Sequence, residues 1–241
     1  MSITPQSADF HTMLSVPTLF LNLASHDGIL AIVTESSVVQ STAIDHRIND
    51  RKLVLFFERL LAADRIEAKD LTNIACVIGP GGFTSLRVAC AFANALAFTL
   101  DVSVCGVHLS DLYVVRFAPP PPARSERTDR SGGPAPPPEG RGESAVWWLH
   151  STKKHELFAR GFGKFAERVP EATLMRLDDV LSMIEPGDAW MGELIPEHQT
   201  AIEGRGLIAA DLRPLEEILP SFLHEQTFDR RTLLPWYGRG W

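Results

Sequence analysis

At 241 residues, with 45% hydrophobic side chains, the chain can bury a sizeable core as one large domain or two small lobes. A formal charge of -7 and a pI near 5.6 exclude the broad basic face of a dedicated nucleic-acid binder, so any RNA would be held through a partner. Three cysteines, Cys76, Cys90 and Cys105, are odd in number and sit in apolar runs, which fits buried thiols in a reducing cytoplasm and excludes a disulfide framework or a zinc spacing.

Residues 1–17 contain no basic residue and no apolar core of signal-peptide length, and read as a loose N-terminal extension. Thr18 to Ser25 and Ile29 to Val33, around the turn His26-Asp27-Gly28, predict a hairpin of buried strands, with a third strand through Ser37 to Ile44. Asn49 to Asp64 predicts a helix capped by Asn49 or Asp50, with apolar positions at Leu53, Val54, Phe56, Phe57, Leu60 and Leu61. Next comes the apolar run Ile74-Ala75-Cys76-Val77-Ile78, then Gly79-Pro80-Gly81-Gly82-Phe83-Thr84-Ser85-Leu86-Arg87, then a long stretch without a breaker. This is a strand, a tight turn and a helix start in sequence. A glycine-rich loop feeding a helix offers free amide groups and the positive end of the helix dipole, which suits a phosphate or carboxylate; a plain strand-to-helix turn is the alternative. The lysine and hydroxyl pair of a P-loop is missing.

Between Val88 and Leu100 the helix carries no charge. Val88, Ala89, Phe92, Ala93, Leu96 and Leu100 line one side, and Ala91, Ala95 and Phe98 another. A helix apolar all round lies inside a core or is covered by a partner. At about 20 Å it is too short to cross a membrane. Ala118 to Ser144 holds eight of the 17 prolines and scarcely an apolar side chain, as a solvated linker or inserted loop would. Beyond it, Ala145 to Leu149 and Glu156 to Phe162 predict strands, Leu177 to Ile184 a short helix, Asp188 to Met191 a strand and Leu215 to His224 a helix. His150 and His155 flank a turn but lack a third metal ligand, and no repeat is visible.

Seven of the nine residues from Gly79 to Arg87 match the G-P-G-S-F-T-G-L-R signature of the TsaB (YeaZ) family, with Gly82 and Ser85 as the departures. The tail Pro235-Trp236-Tyr237-Gly238-Arg239 resembles that family's closing P-x-Y-L-R. This family comprises the inactive glycoprotease-like partners in bacterial tRNA threonylcarbamoyladenosine synthesis. The resemblance implies an α/β, actin-like ATPase (ribonuclease H-like) fold with two lobes, the second degenerate. It sets a first lobe at 18–112, a smaller lobe at 145–224 and a tail at 225–241 packing back on the first lobe. It also implies a cytoplasmic scaffold without catalysis of its own, which binds a TsaD-like enzyme, has a TsaE-like ATPase as further partner, homodimerises when alone and meets tRNA only through the complex. The expected partner face comprises Leu53, Phe57 and Leu60 on one helix and Ala89, Phe92, Ala93 and Leu96 on the next. The loop residues Gly79, Pro80, Gly81, Gly82, Phe83, Thr84 and Arg87 are the candidates for weak nucleotide or phosphate binding, with no cofactor required. Asn22 stands where the actin-like pattern has a phosphate-facing aspartate, and an amide cannot replace it as a hard metal ligand or a base. Asn22 serves equally well as a satisfied strand-end amide. The paired metal histidines of TsaD are reduced to His108 alone. A divergent actin-fold kinase or hydrolase using the glycine loop, or a standalone homodimer, are the other readings.

Overall fold

The computed structural model describes residues 17–45, 50–63, 65–117 and 145–238. Five strands form the first sheet: β1 (Thr18–Asn22), β2 (Asp27–Val33), β3 (Val38–Asp45), β4 (Asn73–Gly79) and β5 (Ser103–His108). Their order is β3-β2-β1-β4-β5, with β1, β2 and β3 antiparallel and β1, β4 and β5 parallel. β1 is central and every one of its residues is buried, which is why it reads as an unbroken apolar run rather than an alternating one.

Helix α1 (Asp50–Ala63) and helix α2 (Phe83–Leu100) cover the outer face of this sheet. Leu53, Phe57, Leu60 and Leu61 recur at helical spacing and point inward, while Val54 and Leu55 are turned to solvent. In α2 the inward residues are Leu86, Ala89, Cys90 and Ala93, and the small side chains let the helix lie close on β4. This helix has the length and composition of a short membrane span, with a mean hydropathy of 1.4, yet its inner stripe packs on the sheet. It stops at Asp101, whose left-handed backbone closes the last turn through its N–H to the Ala97 carbonyl.

Helix α3 (Leu109–Phe117) follows β5 directly and runs past the expected lobe boundary at 112. The second sheet comprises β6 (Val146–Ser151), β7 (Glu156–Phe162), β8 (Thr173–Arg176), β9 (Ala189–Glu193) and β10 (Ile208–Ala209), with α4 (Leu177–Met183) and α5 (Pro196–Gly204) on its outer side. Its order, β10-β9-β6-β7-β8, repeats that of the first sheet strand for strand, including the antiparallel hairpin and the parallel crossover. The fold is therefore an internal duplication that leaves no sequence repeat. The second copy is reduced at its edges, since β8 has four residues and β10 two. Helix α6 (Leu215–His224) joins α3 between the sheets. One continuous core binds the lobes, with Phe20, Ala31 and Val77 from the first sheet, Trp148, Phe158 and Met191 from the second, and Leu112, Ile218 and Phe222 from the helices. The N-terminal extension up to residue 16 and the proline-rich segment 118–144 lie outside the described residues.

Candidate functional site

The glycine loop lies between β4 and α2, and its glycines answer to steric demands. Gly79 has φ +145°, and a Cβ there would sit 2.2 Å from the carbonyl oxygen of Trp236. At Gly81 a Cβ would meet Ala24 backbone and side chain at 2.8 to 2.9 Å. The loop is thus pressed between the hairpin turn of the first lobe and the C-terminal segment. Pro80 is buried beside it; Gly82 is the N-cap residue of α2 and lacks a side-chain cap, while Thr84 and Arg87 are exposed on the first turns. Phe83 stacks on Tyr237 with ring centroids 4.8 Å apart, and Arg87 lies 5.3 Å from the Phe83 ring.

Residues 225–238 form a strap that runs along α2 from its C-terminal end to its N-terminal end. Arg230 pairs with Asp101 at the end of the helix. Asp229 exchanges two backbone hydrogen bonds with Val104 of β5. The Asn94 side chain donates to the Leu233 carbonyl and accepts from the Leu233 N–H, both at 2.9 Å. The Trp236 N–H donates to the Ile78 carbonyl at 2.8 Å, and its ring meets His108 edge-on at 4.5 Å and Phe158 at 5.7 Å. The two sequence signatures, the loop and the tail, are therefore packing partners of one another.

The side chain of Asn22 is occupied locally. Its Oδ1 accepts from the N–H groups of Ala24 at 3.0 Å and Ser25 at 3.3 Å, and its Nδ2 donates to Ser25 Oγ at 2.8 Å. It closes the β1–β2 turn as an Asx-type cap. His108 contacts Ser110 Oγ through Nδ1 at 2.9 Å, and burial pushes its pKa down.

The residues expected to form the partner face are mostly interior. Leu53, Ala89 and Ala93 are fully buried, and Leu60 and Phe57 nearly so. Phe92 is half-buried, meeting Phe57 edge-on at 5.8 Å, and Leu96 is half-buried too. A regular stripe on each helix is the stripe its own sheet needs, so these side chains are spent inside the subunit. What the outer surface presents instead is Val54, Leu55, Ala91, Ala95 and Phe98, with Phe98 at 90% exposure. Phe83 at the start of α2 and Leu234 on the strap are exposed as well.

Comparison with solved structures bears on this arrangement directly. YeaZ from Pseudomonas aeruginosa superposes with a TM-score of 0.60 over 92% of this chain and 99% of that one, at 17% identity. A second Pseudomonas aeruginosa structure, an uncharacterized protein with similarity to peptidase YeaZ, gives 0.61 over 93% and 100%, at 18% identity. The chain has the YeaZ fold. The actin-like architecture expected from the loop signature is the one observed. In sequence, the family model described as TsaD, tRNA N6-adenosine threonylcarbamoyltransferase, matches residues 41–119. The enzyme of that name from Salinibacter ruber (strain DSM 13855 / M31) is 42% identical over 80 residues, which is 32% of this chain; the chain spans only 24% of that enzyme's length. The stretch of TsaD similarity runs from β3 to the end of α3, and so includes the glycine loop and the outer helices.

Within this YeaZ fold, the lobes meet in a cleft of 570 Å³ lined by Asn22, Ser41, Tyr113, Arg116, Glu193 and Glu216 among others. At its edge the Glu193 carboxylate accepts from Tyr113 Oη and from the His26 N–H, each at 2.7 Å. Behind it lies His150, fully buried, stacked on Trp148, its Nδ1 3.9 Å from Glu193 Oε2 and without a hydrogen-bond partner. Burial holds the His150 imidazole down at about 4, opposed by Glu193 and assisted by His26. At neutral pH the ring is uncharged, so its contact with Glu193 is not an ion pair. The remaining histidine of the turn, His155, is exposed, so the two do not face one another as ligands. Among the described residues no cluster of His, Cys, Asp and Glu has metal-holding geometry. The pairing of Tyr113 with Glu193 carried no sequence signal, because the two residues come together from opposite lobes.

A pH dependence follows from His150. Its folded pKa is depressed, so the unfolded chain binds the proton first. Its contribution is complete above the unfolded pKa of 6.5 and is lost as pH falls towards 4, by roughly 3 kcal/mol in total. Urea unfolding between pH 7 and pH 4.5 should show this loss, and His150→Gln should flatten the slope in that window. An identical slope in the variant would contradict the assignment.

Proposed function

We propose that this chain is the non-catalytic, TsaB-like subunit of a tRNA threonylcarbamoyladenosine modification complex, docking a TsaD-like enzyme on the outer face of α1 and α2. The observation that carries the reading is the exposure of the apolar side chains Val54, Leu55, Ala91, Ala95 and Phe98, outside the chain's own core on the helices that share sequence with TsaD. A side chain as exposed as Phe98 gains no burial within the monomer and is open to a partner. The contact residues of this proposal differ from Leu53, Phe57, Leu60, Ala89 and Ala93, which are interior.

Absence of catalysis is part of the same proposal. The strap covers the loop at Gly79, Asn22 is spent on its own turn, and His108 is spent on Ser110. A TsaE-like ATPase would join the complex through the enzyme subunit, and tRNA would be held there too, in keeping with the chain's acidic balance. The proposed location is the cytoplasm.

The test is complementation of a bacterial strain depleted of its own TsaB. Wild-type chain should restore the modified adenosine, measured by mass spectrometry of digested tRNA, whereas the double variant Leu55→Asp/Phe98→Asp should fail although it folds. Both positions are exposed, so folding should change by no more than about 0.5 kcal/mol per site. Rescue by the double variant would reject this docking face, and no rescue by the wild type would reject the role.

A further inference from the structure

The two lobes are tied to one another across their cleft by groups of the chain itself. Glu193, at the end of β9 in the second lobe, is gripped from the first lobe by Tyr113 of α3 and by the backbone of His26 in the β1–β2 turn. Its side chain is only 16% exposed, which makes both charge-assisted hydrogen bonds stronger than surface ones. A second tie crosses at the other end of α3, where Arg160 of β7 donates to Asp111 Oδ1 at 2.6 Å and Ser110 Oγ at 2.8 Å. A third joins Arg116 and Arg213, whose backbone and side chain exchange hydrogen bonds of 3.0 and 2.9 Å.

Among the described residues, the cleft also offers little positive charge with which a nucleotide could pull the lobes together. Glu193 and Glu216 face it against one guanidinium, Arg116, whose Nε is spent on the Arg213 carbonyl. Two carboxylates repel a polyphosphate.

We propose that Glu193 is an interlobe clasp which fixes the two lobes in this one arrangement without ligand, so that this chain works as one rigid body rather than as a hinged pair of lobes. The proposal stands apart from the docking reading, since the clasp is on the opposite side of the first sheet from α1 and α2. A rigid body presents its outer helices in one orientation only.

Hydrogen exchange with mass spectrometry on the full chain tests it, comparing wild type with Tyr113→Phe and with Glu193→Ala. Each variant should speed exchange of the peptides covering 22–29, 189–193 and 212–216 by about tenfold, the equivalent of one charge-assisted hydrogen bond. Strands β4 and β7 should keep wild-type rates, which also verifies that the variants are folded. Mg-ATP should leave wild-type rates unchanged. Unchanged cleft rates in both variants, a uniform rise across the whole chain, or protection of wild type by Mg-ATP would each overturn the clasp.

Discussion

Ala93→Glu is expected to unfold the chain. Ala93 is fully buried on the sheet side of α2, in the cluster that also holds Leu53, Phe57, Cys76 and Cys90. A glutamate there meets no cation and no water, so either the carboxylate stays charged in an apolar site or it takes up a proton and still overfills the space. Both routes cost about 4 kcal/mol or more, comparable with the whole stability of a small domain. Circular dichroism should show loss of helix at room temperature, and light scattering should show aggregate. A folded monomer with native helix content would mean that Ala93 faces outward and that the partner face lies where the sequence first suggested it.

Gly79→Ala should have the second largest effect, and through a different route. A methyl group at this residue would be 2.2 Å from the Trp236 carbonyl oxygen, and the backbone sits at φ +145°, where a side chain is strained whatever space exists. The neighbour is backbone, so it cannot swing aside as a flexible side chain can. The expected outcome is displacement of the strap, with the Trp236 to Ile78 hydrogen bond and the Trp236 contacts to His108 and Phe158 lost together. Strain and lost packing amount to about 3 kcal/mol. Thermal unfolding should move down by several degrees, and trypsin should cleave early after Arg230 or Arg231, mapped by mass spectrometry. Wild-type melting and an uncut tail would show that loop and strap are not coupled.

Elements with strong local patterns were legible in the sequence. β1, β4 and β6 read as strands because each is buried on both faces of its sheet, and α6 because its apolar stripe ends at a polar turn. β8 and β10 were not, being four and two residues at a sheet edge, where pairing rather than burial defines the strand. α5 was missed because Ala201 and Ile202 are its only aliphatic residues beyond Pro196; what fixes it inside is His198, held by Ser151 and the Lys154 carbonyl. Most of the residues expected at a partner face are interior, for an instructive reason. Leu53, Phe57 and Leu60, or Ala89 and Ala93, recur at the spacing of a sheet-facing stripe, and that regularity argued for the core all along. On the proposed docking reading, the signal for a partner is the residues outside that stripe, Leu55 and Phe98. Interlobe contacts such as Tyr113 with Glu193 join residues far apart in the chain and had no local signature.

The most direct measurement of the account is size-exclusion chromatography with multi-angle light scattering on the purified chain mixed with the TsaD-like protein of the same organism. The account predicts a single peak at the summed mass of one copy of each, abolished by Leu55→Asp/Phe98→Asp while the variant alone elutes as a folded protein. Separate elution of the two wild-type proteins, or a complex that survives the double variant, would contradict it.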